Sequence, residues 1–262
     1  LYNSSIAERI EQIRKVRLED VRDCYQNLFG ASNSELAVVG DFDPEEVVRL
    51  ANELFGDWKT PAPYQRIAVP YRDIPGMERI IETPDKANAV FMGGFVVEMN
   101  QDHPDYPAMM FANQMFGGDL KSRLWMRIRQ KEGFSYGVGS AFIASARSNW
   151  AQFMVQATCL PANILKVEAA FKDELAKLLK DGFSEDEVAA AKKSYLEQRA
   201  LGRSQDASLA RTLATHAQFG WNMSHESELE QKVAALTVAQ LNAAVKKYLD
   251  PNAVSYFKAG DF

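Results

Sequence analysis

Residues 116–139, FGGDLKSRLWMRIRQKEGFSYGVG, hold the densest set of groups in this chain able to grip a polar ligand. Gly117–Gly118 reads as a turn and Asp119 as a helix N-cap. The helix that follows carries Leu120, Leu124 and Ile128 as an apolar stripe and Lys121, Arg123, Arg127, Arg129 and Lys131 on its polar side. Gly133 ends that helix and Phe134 to Gly139 enters a strand, so Arg129 near the helix end and Tyr136 at the strand start converge across the turn. A guanidinium fork and a phenol both donate hydrogen bonds, and together they would hold a carbonyl oxygen or steady a developing oxyanion. A second reading of the same residues is structural: an arginine placed near a helix C-terminus, where cations are favoured, beside a half-buried tyrosine.

Other chemistries lack their residues. The three histidines are His103, His216 and His225. A helical zinc site needs two ligands one turn apart, as in H-E-x-x-H or its inversion H-x-x-E-H. The segment HESELE places His225 and Glu228 as the inverted motif would, but Leu229 stands where its second histidine belongs. There is no G-x-S-x-G and no phosphate-binding G-x-x-x-x-G-K-[ST]. Cys24 and Cys159 match no metal or redox spacing and read as two thiols, with a disulfide between them left open. A net charge of -5 supplies no basic face for nucleic acid or an anionic membrane. No apolar run approaches the roughly 18 residues that cross a bilayer. Compartment is left open, cytoplasmic or periplasmic in a bacterium. The chain starts with Leu1 rather than methionine, inside helical sequence, and residues upstream are expected to be missing.

The elements that must position the pair follow from periodicity and punctuation. Residues 1–15 and 17–29 read as helices, and ELAVVG (35–40) has the length and valines of a strand. Asp43, Pro44 and Glu46 then open a helix as N-cap, first helical residue and capping-box partner. Residues 57–75 hold Pro61, Pro63, Pro70 and Pro75 and read as a linker. After it, 78–83 and 88–99 read as strands, 104–115 and 120–131 as helices, and 135–145 with 149–159 as a hairpin. Helices follow at 161–180, 184–203, 206–219 and 225–235, the second opened by a Ser184–Glu187 capping box. Thr237 with Gln240 opens another to Leu249, and 253–260 reads as a closing strand. Strands in pairs or singly, with helix blocks between, define an α+β fold: a mostly antiparallel sheet with helices on one face. Three parts are expected: 1–56, the end of a preceding, incomplete domain; the linker 57–75; and 76–262, the larger domain. An incomplete 1–56 should leave apolar surface exposed for docking or dimerisation.

Three segments, taken together, resemble the pitrilysin/insulinase-type zinc metallopeptidases (metallopeptidase family sixteen). GGDLKSRLWMRIRQKEGFSYGV is similar to that family's GGG-x-x-S-R-L followed by L-R-E-K-x-G-L-x-Y. ELAVVGDFDPEEVVRLANELFGDW is similar to its V-V-V-G-D-x-D-P-E-E with a terminal F-G-D-W, and YQNLFGASN to the segment before it. The resemblance spans about 20 to 260 and implies a LuxS/pitrilysin-like peptidase fold. It further implies two halves that close like a clamshell on a peptide: one brings zinc through H-x-x-E-H, and the other holds the substrate backbone with an arginine and a tyrosine. Those positions match Arg129 and Tyr136, seven apart as in the family, with Gly117, Gly118, Phe134 and Ser135 as neighbouring substrate contacts. No H-x-x-E-H occurs here, so the implied chain is inactive by itself and holds no metal. Its zinc is expected in a partner subunit or missing domain, its ligand is a peptide, and dimerisation is expected. A non-enzymatic structural or assembly subunit built on the same fold is the alternative, and an unrelated α+β domain that uses Arg129 and Tyr136 only for packing is a further one.

Overall fold

The computed structural model describes residues 4–262, and the start of the helix expected from residue 1 lies outside the described residues. The chain forms two compact units. One comprises residues 1–67 and 203–222, and the other 68–202 and 223–262. The boundary at 67/68 falls inside the proline-rich stretch, and the segment 203–222 clusters with the N-terminal residues.

The first unit holds α1 (Ile6–Lys15), α2 (Leu18–Leu28), α3 (Pro44–Phe55) and α7 (Asp206–Phe219). The Asp43 carboxylate accepts from the Glu45 and Glu46 amides, as an N-cap should, and Pro44 occupies the first turn. None of α1, α2 or α3 buries a residue. Ile6, Ile13, Leu28, Val48 and Leu54 are each at least 60% exposed, so the apolar surface expected on 1–56 is present. Tyr25 lies on Phe29 and Trp58 in a small aromatic stack. The expected strand 35–40 does not form. A strand needs a neighbour to satisfy its amides and carbonyls, and no described strand pairs with it.

The second unit carries β1 (Glu78–Glu82), β2 (Ala89–Val97), α4 (Tyr106–Asn113), β3 (Ser135–Ala144), β4 (Ala151–Cys159), α5 (Ile164–Asp181), α6 (Glu185–Arg203), α8 (Met223–Ala235), α9 (Val238–Tyr248) and β5 (Ser255–Gly260). The five strands form one sheet in the order β1-β5-β2-β4-β3. Only β1 and β5 run parallel; the other three pairings are antiparallel. Burial alternates with the period of the pleat. Phe91, Phe95, Phe153, Val155 and Phe142 face the helices and are nearly or fully buried, while Met92 and Ile143 are 40% and 50% exposed on the opposite face. Phe171 of α5 meets Phe91 and Tyr256, and Phe116 meets Phe153, which seats the helical layer on one side of the sheet. The reciprocal Ser184–Glu187 and Thr237–Gln240 boxes start α6 and α9 where the sequence places them. Both cysteines are free thiols, Cys24 exposed and Cys159 buried.

One ionic group sits in this apolar layer. Lys258 of β5 is 4% exposed and bonds the carboxylates of Glu168 and Glu78. Glu168, itself 6% exposed, also accepts from Lys172. Burial alone would raise the Glu168 carboxyl, but the hydrogen bonds from Lys172 and Lys258 outweigh it and hold the group below the usual glutamate range. A depressed carboxyl stabilises the fold above its unfolded-state value, and that contribution is lost as pH falls through the folded-state value. Glu168→Ala, which leaves the buried Lys258 ammonium with Glu78 as its one carboxylate, should therefore cost about 1–3 kcal/mol at pH 7. Urea titrations should show the gap between wild type and Glu168→Gln closing between neutral pH and about pH 3; an unchanged gap would refute the ionic role.

Candidate peptide-binding site

The segment that carries the expected site departs from regular α-helix twice. Gln114–Gly118 and Trp125–Lys131 are π-type turns, which insert an extra residue into a helical turn and often accompany functional sites. Between them, the Asp119 carboxylate accepts from the Lys121 amide at 2.8 Å and from the side-chain amides of Gln114 and Gln198 at 3.3 and 3.2 Å. Gly117 has no room for a side chain: a Cβ there would lie 2.3 Å from the Ser140 hydroxyl oxygen. Gly118 is exposed at the tip. Leu124 and Ile128 are fully buried as expected, but Leu120 is 66% exposed. It falls in the turn before helical geometry begins, and so leaves the stripe.

The five cations of this segment separate into two kinds. Arg123 bonds both oxygens of Glu187 at 2.8 and 2.9 Å, reaches the Gly182 carbonyl at 2.7 Å and covers the Phe183 ring at 4.8 Å. Burial would raise the Glu187 carboxyl, yet the bonds from Arg123 and the Ser184 amide hold it low. Arg127 pairs with Glu132 at 3.1 Å and lies within 3.7 Å of Asp173 and Glu174. Both are packing residues. Arg129 is exposed. Neither its side chain nor that of Tyr136 has a hydrogen bond, ion pair or ring contact with another described residue.

The turn joining them is tightly specified. The Phe134 amide donates to the Ile128 carbonyl at 3.0 Å and the Glu132 amide to the Arg127 carbonyl at 3.1 Å, while Gly133 takes a left-handed φ of 62°. Asn163 donates to the Phe134 carbonyl at 3.3 Å, and the Lys166 ammonium lies 5.7 Å from the Phe134 ring centre. Phe134 thus anchors the turn to the start of α5. The backbone next to Arg129 is bonded to the backbone two residues before Tyr136.

Tyr136 owes its exposure to one extra residue. Going back along β3, Ala144, Phe142 and Val138 face the helices, and strict alternation would send Tyr136 the same way. The pairing with β4 shifts, however: Ser135 is opposite Cys159 and Gly137 opposite Thr158, so Tyr136 is a bulge. Ser135 is consequently 5% exposed and Tyr136 57% exposed. Ser135, expected among the substrate contacts, has a buried hydroxyl with no hydrogen-bond partner. An open cleft of about 470 Å³ lies farther along the same strand, bordered by Gly117, Gly118, Gly139, Ala141, Met92 and Met154. Sequence reasoning missed the last four; the run of small residues in GVGSA was the available signal.

Zinc ligands are not assembled. His103 Nδ1 accepts from the Asp105 amide at 3.0 Å beside Tyr248, and His216 is buried edge-on against Trp221. Among the described residues no group of three or more His, Cys, Asp or Glu side chains is placed to hold a metal ion. The donors present in this chain therefore do not fit zinc.

The second unit is a mixed sheet layered with helices on one face, with Arg129 and Tyr136 near its β3 edge. The model of the Peptidase M16 inactive domain family matches residues 15–195, and the chain belongs to that family. It is 31% identical over 143 residues to an uncharacterized zinc protease of Mycobacterium tuberculosis, covering 54% of this chain and 32% of that protein. It is 21% identical over 257 residues to the non-peptidase homolog YmxG of Helicobacter pylori, covering 98% of this chain and 58% of that one. The chain thus spans between about a third and three fifths of the length of these curated relatives. Among solved structures, a peptidase M16 inactive domain from Pseudomonas fluorescens superposes with a TM-score of 0.78 at 22% identity, covering 96% of this chain and 59% of that chain. The first half of the periplasmic protease PqqL of Escherichia coli gives 0.70 at 16% identity, covering 97% and 56%. These similarities share the α+β fold described above.

The two kinds of cation are separable by stability. Arg123→Ala, which leaves a partly buried carboxylate and a carbonyl without their donor, should cost about 1–3 kcal/mol. Arg129→Ala and Tyr136→Phe should each stay within about 0.5 kcal/mol of wild type in urea unfolding. A loss at Arg129 equal to that at Arg123 would make Arg129 a packing residue too.

Proposed function

We propose that this chain is the substrate-holding, inactive-alone part of a zinc-dependent endopeptidase, gripping a peptide backbone through Arg129 and Tyr136. The observation that carries this reading is the exposure of two unpaired donors on one braced turn, the tyrosine turned outward by a bulge. Water satisfies both donors in the free chain, and a peptide carbonyl can take its place. The Arg129 guanidinium brings a rigid planar fork and the Tyr136 hydroxyl a single directed donor. Bound to a carbonyl oxygen, they orient it; as negative charge grows on that oxygen, both bonds strengthen without any rearrangement of the turn. The exposed Gly118 tip lets a peptide approach close to the backbone.

Zinc chemistry in this reading belongs to another domain or subunit, which meets this chain as two halves closing on the peptide. The exposed apolar residues of α1, α2 and α3 supply surface for that association, or for a dimer. No described helix is long and apolar enough to cross a membrane.

A preorganised oxyanion donor contributes about 3 kcal/mol. In an active mixture of this chain with a zinc-bearing half, Arg129→Ala or Tyr136→Phe should lower turnover by about 10² to 10³. Equal turnover for both variants and wild type would defeat the assignment. A second reading, a non-enzymatic structural or assembly subunit, is favoured by the similarity over 98% of the chain to a relative named a non-peptidase homolog. Zinc content and peptidase activity, measured on the chain alone and mixed with candidate zinc-bearing halves, separate the two. Silence in every mixture selects the scaffold.

A further inference from the structure

The cleft beside the arginine–tyrosine turn has a character of its own. It lies on the face of the sheet away from the helices, where Gly139 pairs with Gln156, Gln156 with Met92, and Ala141 with Met154. Its floor is made of residues with little or no side chain, Gly139 and Ala141, and its walls are the two methionines. Leu120, pushed out of the helical stripe and 66% exposed, forms a lip. Gly139 does not have a positive φ, and a Cβ there would meet only the Gly117 carbonyl oxygen, at an ordinary 3.6 Å. The absence of a side chain at this position is thus required neither by the backbone nor by packing. It keeps the cleft empty.

We infer that this cleft is a side-chain subsite for the peptide held at Arg129 and Tyr136, and that it takes a bulky uncharged apolar group of the leucine or phenylalanine class. The inference rests on the peptide-holding reading of that pair. Size comes first: about 470 Å³ of open cleft accommodates the largest aliphatic or aromatic side chains. Position comes next: Gly139 lies three residues from Tyr136 along β3, roughly 10 Å at strand rise, within one or two side chains of an extended peptide. Charge decides the class. Asp119 is the sole ionisable residue in the lining. Two glutamine amides and one backbone amide take three of the roughly four acceptor positions of its carboxylate, which leaves a basic side chain a single hydrogen bond in an otherwise apolar lining. An acidic side chain would meet the same negative charge with no free cation in the lining to offset it. Methionine walls, polarisable and unbranched, adapt to differing apolar shapes.

The test is photocrosslinking to the full chain. Ten-residue serine–alanine peptides carrying one p-benzoylphenylalanine are irradiated with the protein, and adducts are located by mass spectrometry. Adducts on Met92 or Met154 are expected. Peptides with leucine or phenylalanine at the same position should suppress them at concentrations at least about tenfold lower than peptides with lysine or glutamate. Gly139→Val and Ala141→Leu, both confirmed folded by thermal melting, should abolish the adducts by filling the cleft. Adducts elsewhere, no adducts, or equal suppression by charged peptides would overturn the subsite. Adducts that keep their apolar preference in Arg129→Ala and Tyr136→Phe would uphold the subsite while removing the pair from peptide binding; loss of adducts in those variants upholds both.

Discussion

Everything at the candidate site depends on one extra residue in the ladder between β3 and β4. A strand alternates sides with a period of two, and a single insertion reverses every side chain beyond it. Here that reversal affects only the mouth of the strand. Val138, Phe142 and Ala144 keep their places in the core, while Ser135 is drawn in and Tyr136 is turned out. The same phenol without the bulge would enter a layer already filled by phenylalanines, where its hydroxyl would need a partner that the layer does not offer.

Around the bulge, the fold spends most of its polar groups on holding geometry. Glu187 caps α6 and grips Arg123 at once, which fixes the π-turned helix against α6. Asn163 holds the Phe134 carbonyl, and the Ile128 carbonyl receives the Phe134 amide, so the turn is bonded at both ends. What remains unbonded, Arg129 and Tyr136, is then presented on a rigid frame. The frame fixes the backbone that carries them, while the two side chains keep their rotamer freedom.

Local rules carried much of this into view. Caps announce themselves by residue type within three or four positions, which is why Asp43, Ser184 with Glu187, and Thr237 with Gln240 read correctly. The strands of the main sheet also showed in their apolar runs, and the turn before β3 in Gly133. The rest depends on partners distant in sequence. ELAVVG has strand composition but no described neighbour to pair with, so it stays unpaired. Arg123 and Arg129 look equivalent on a helix; a glutamate 64 positions away distinguishes them. The bulge escapes notice because SYGVGSAFIAS has too many small residues to reveal on which face it changes phase. The π-turns at Gln114–Gly118 and Trp125–Lys131 leave no local signature either.

The placement of β5 has a consequence for how the protein comes into being. β5 lies between β1 and β2, and Lys258 reaches Glu78 across 180 positions of chain. On a ribosome, β1 and β2 emerge long before the strand that must separate them; β1 has no partner in the sheet until it arrives, and β2 has only β4, on its other edge. Through most of synthesis β2 displays an open row of amides and carbonyls flanked by phenylalanines, a ready template for mispairing. Helix α5, built from local contacts and packed against β2, is made during that wait and can cover the apolar side of β2 first. The order of elements along the chain thus acts as a safeguard during biosynthesis: the shield precedes the strand that completes the sheet.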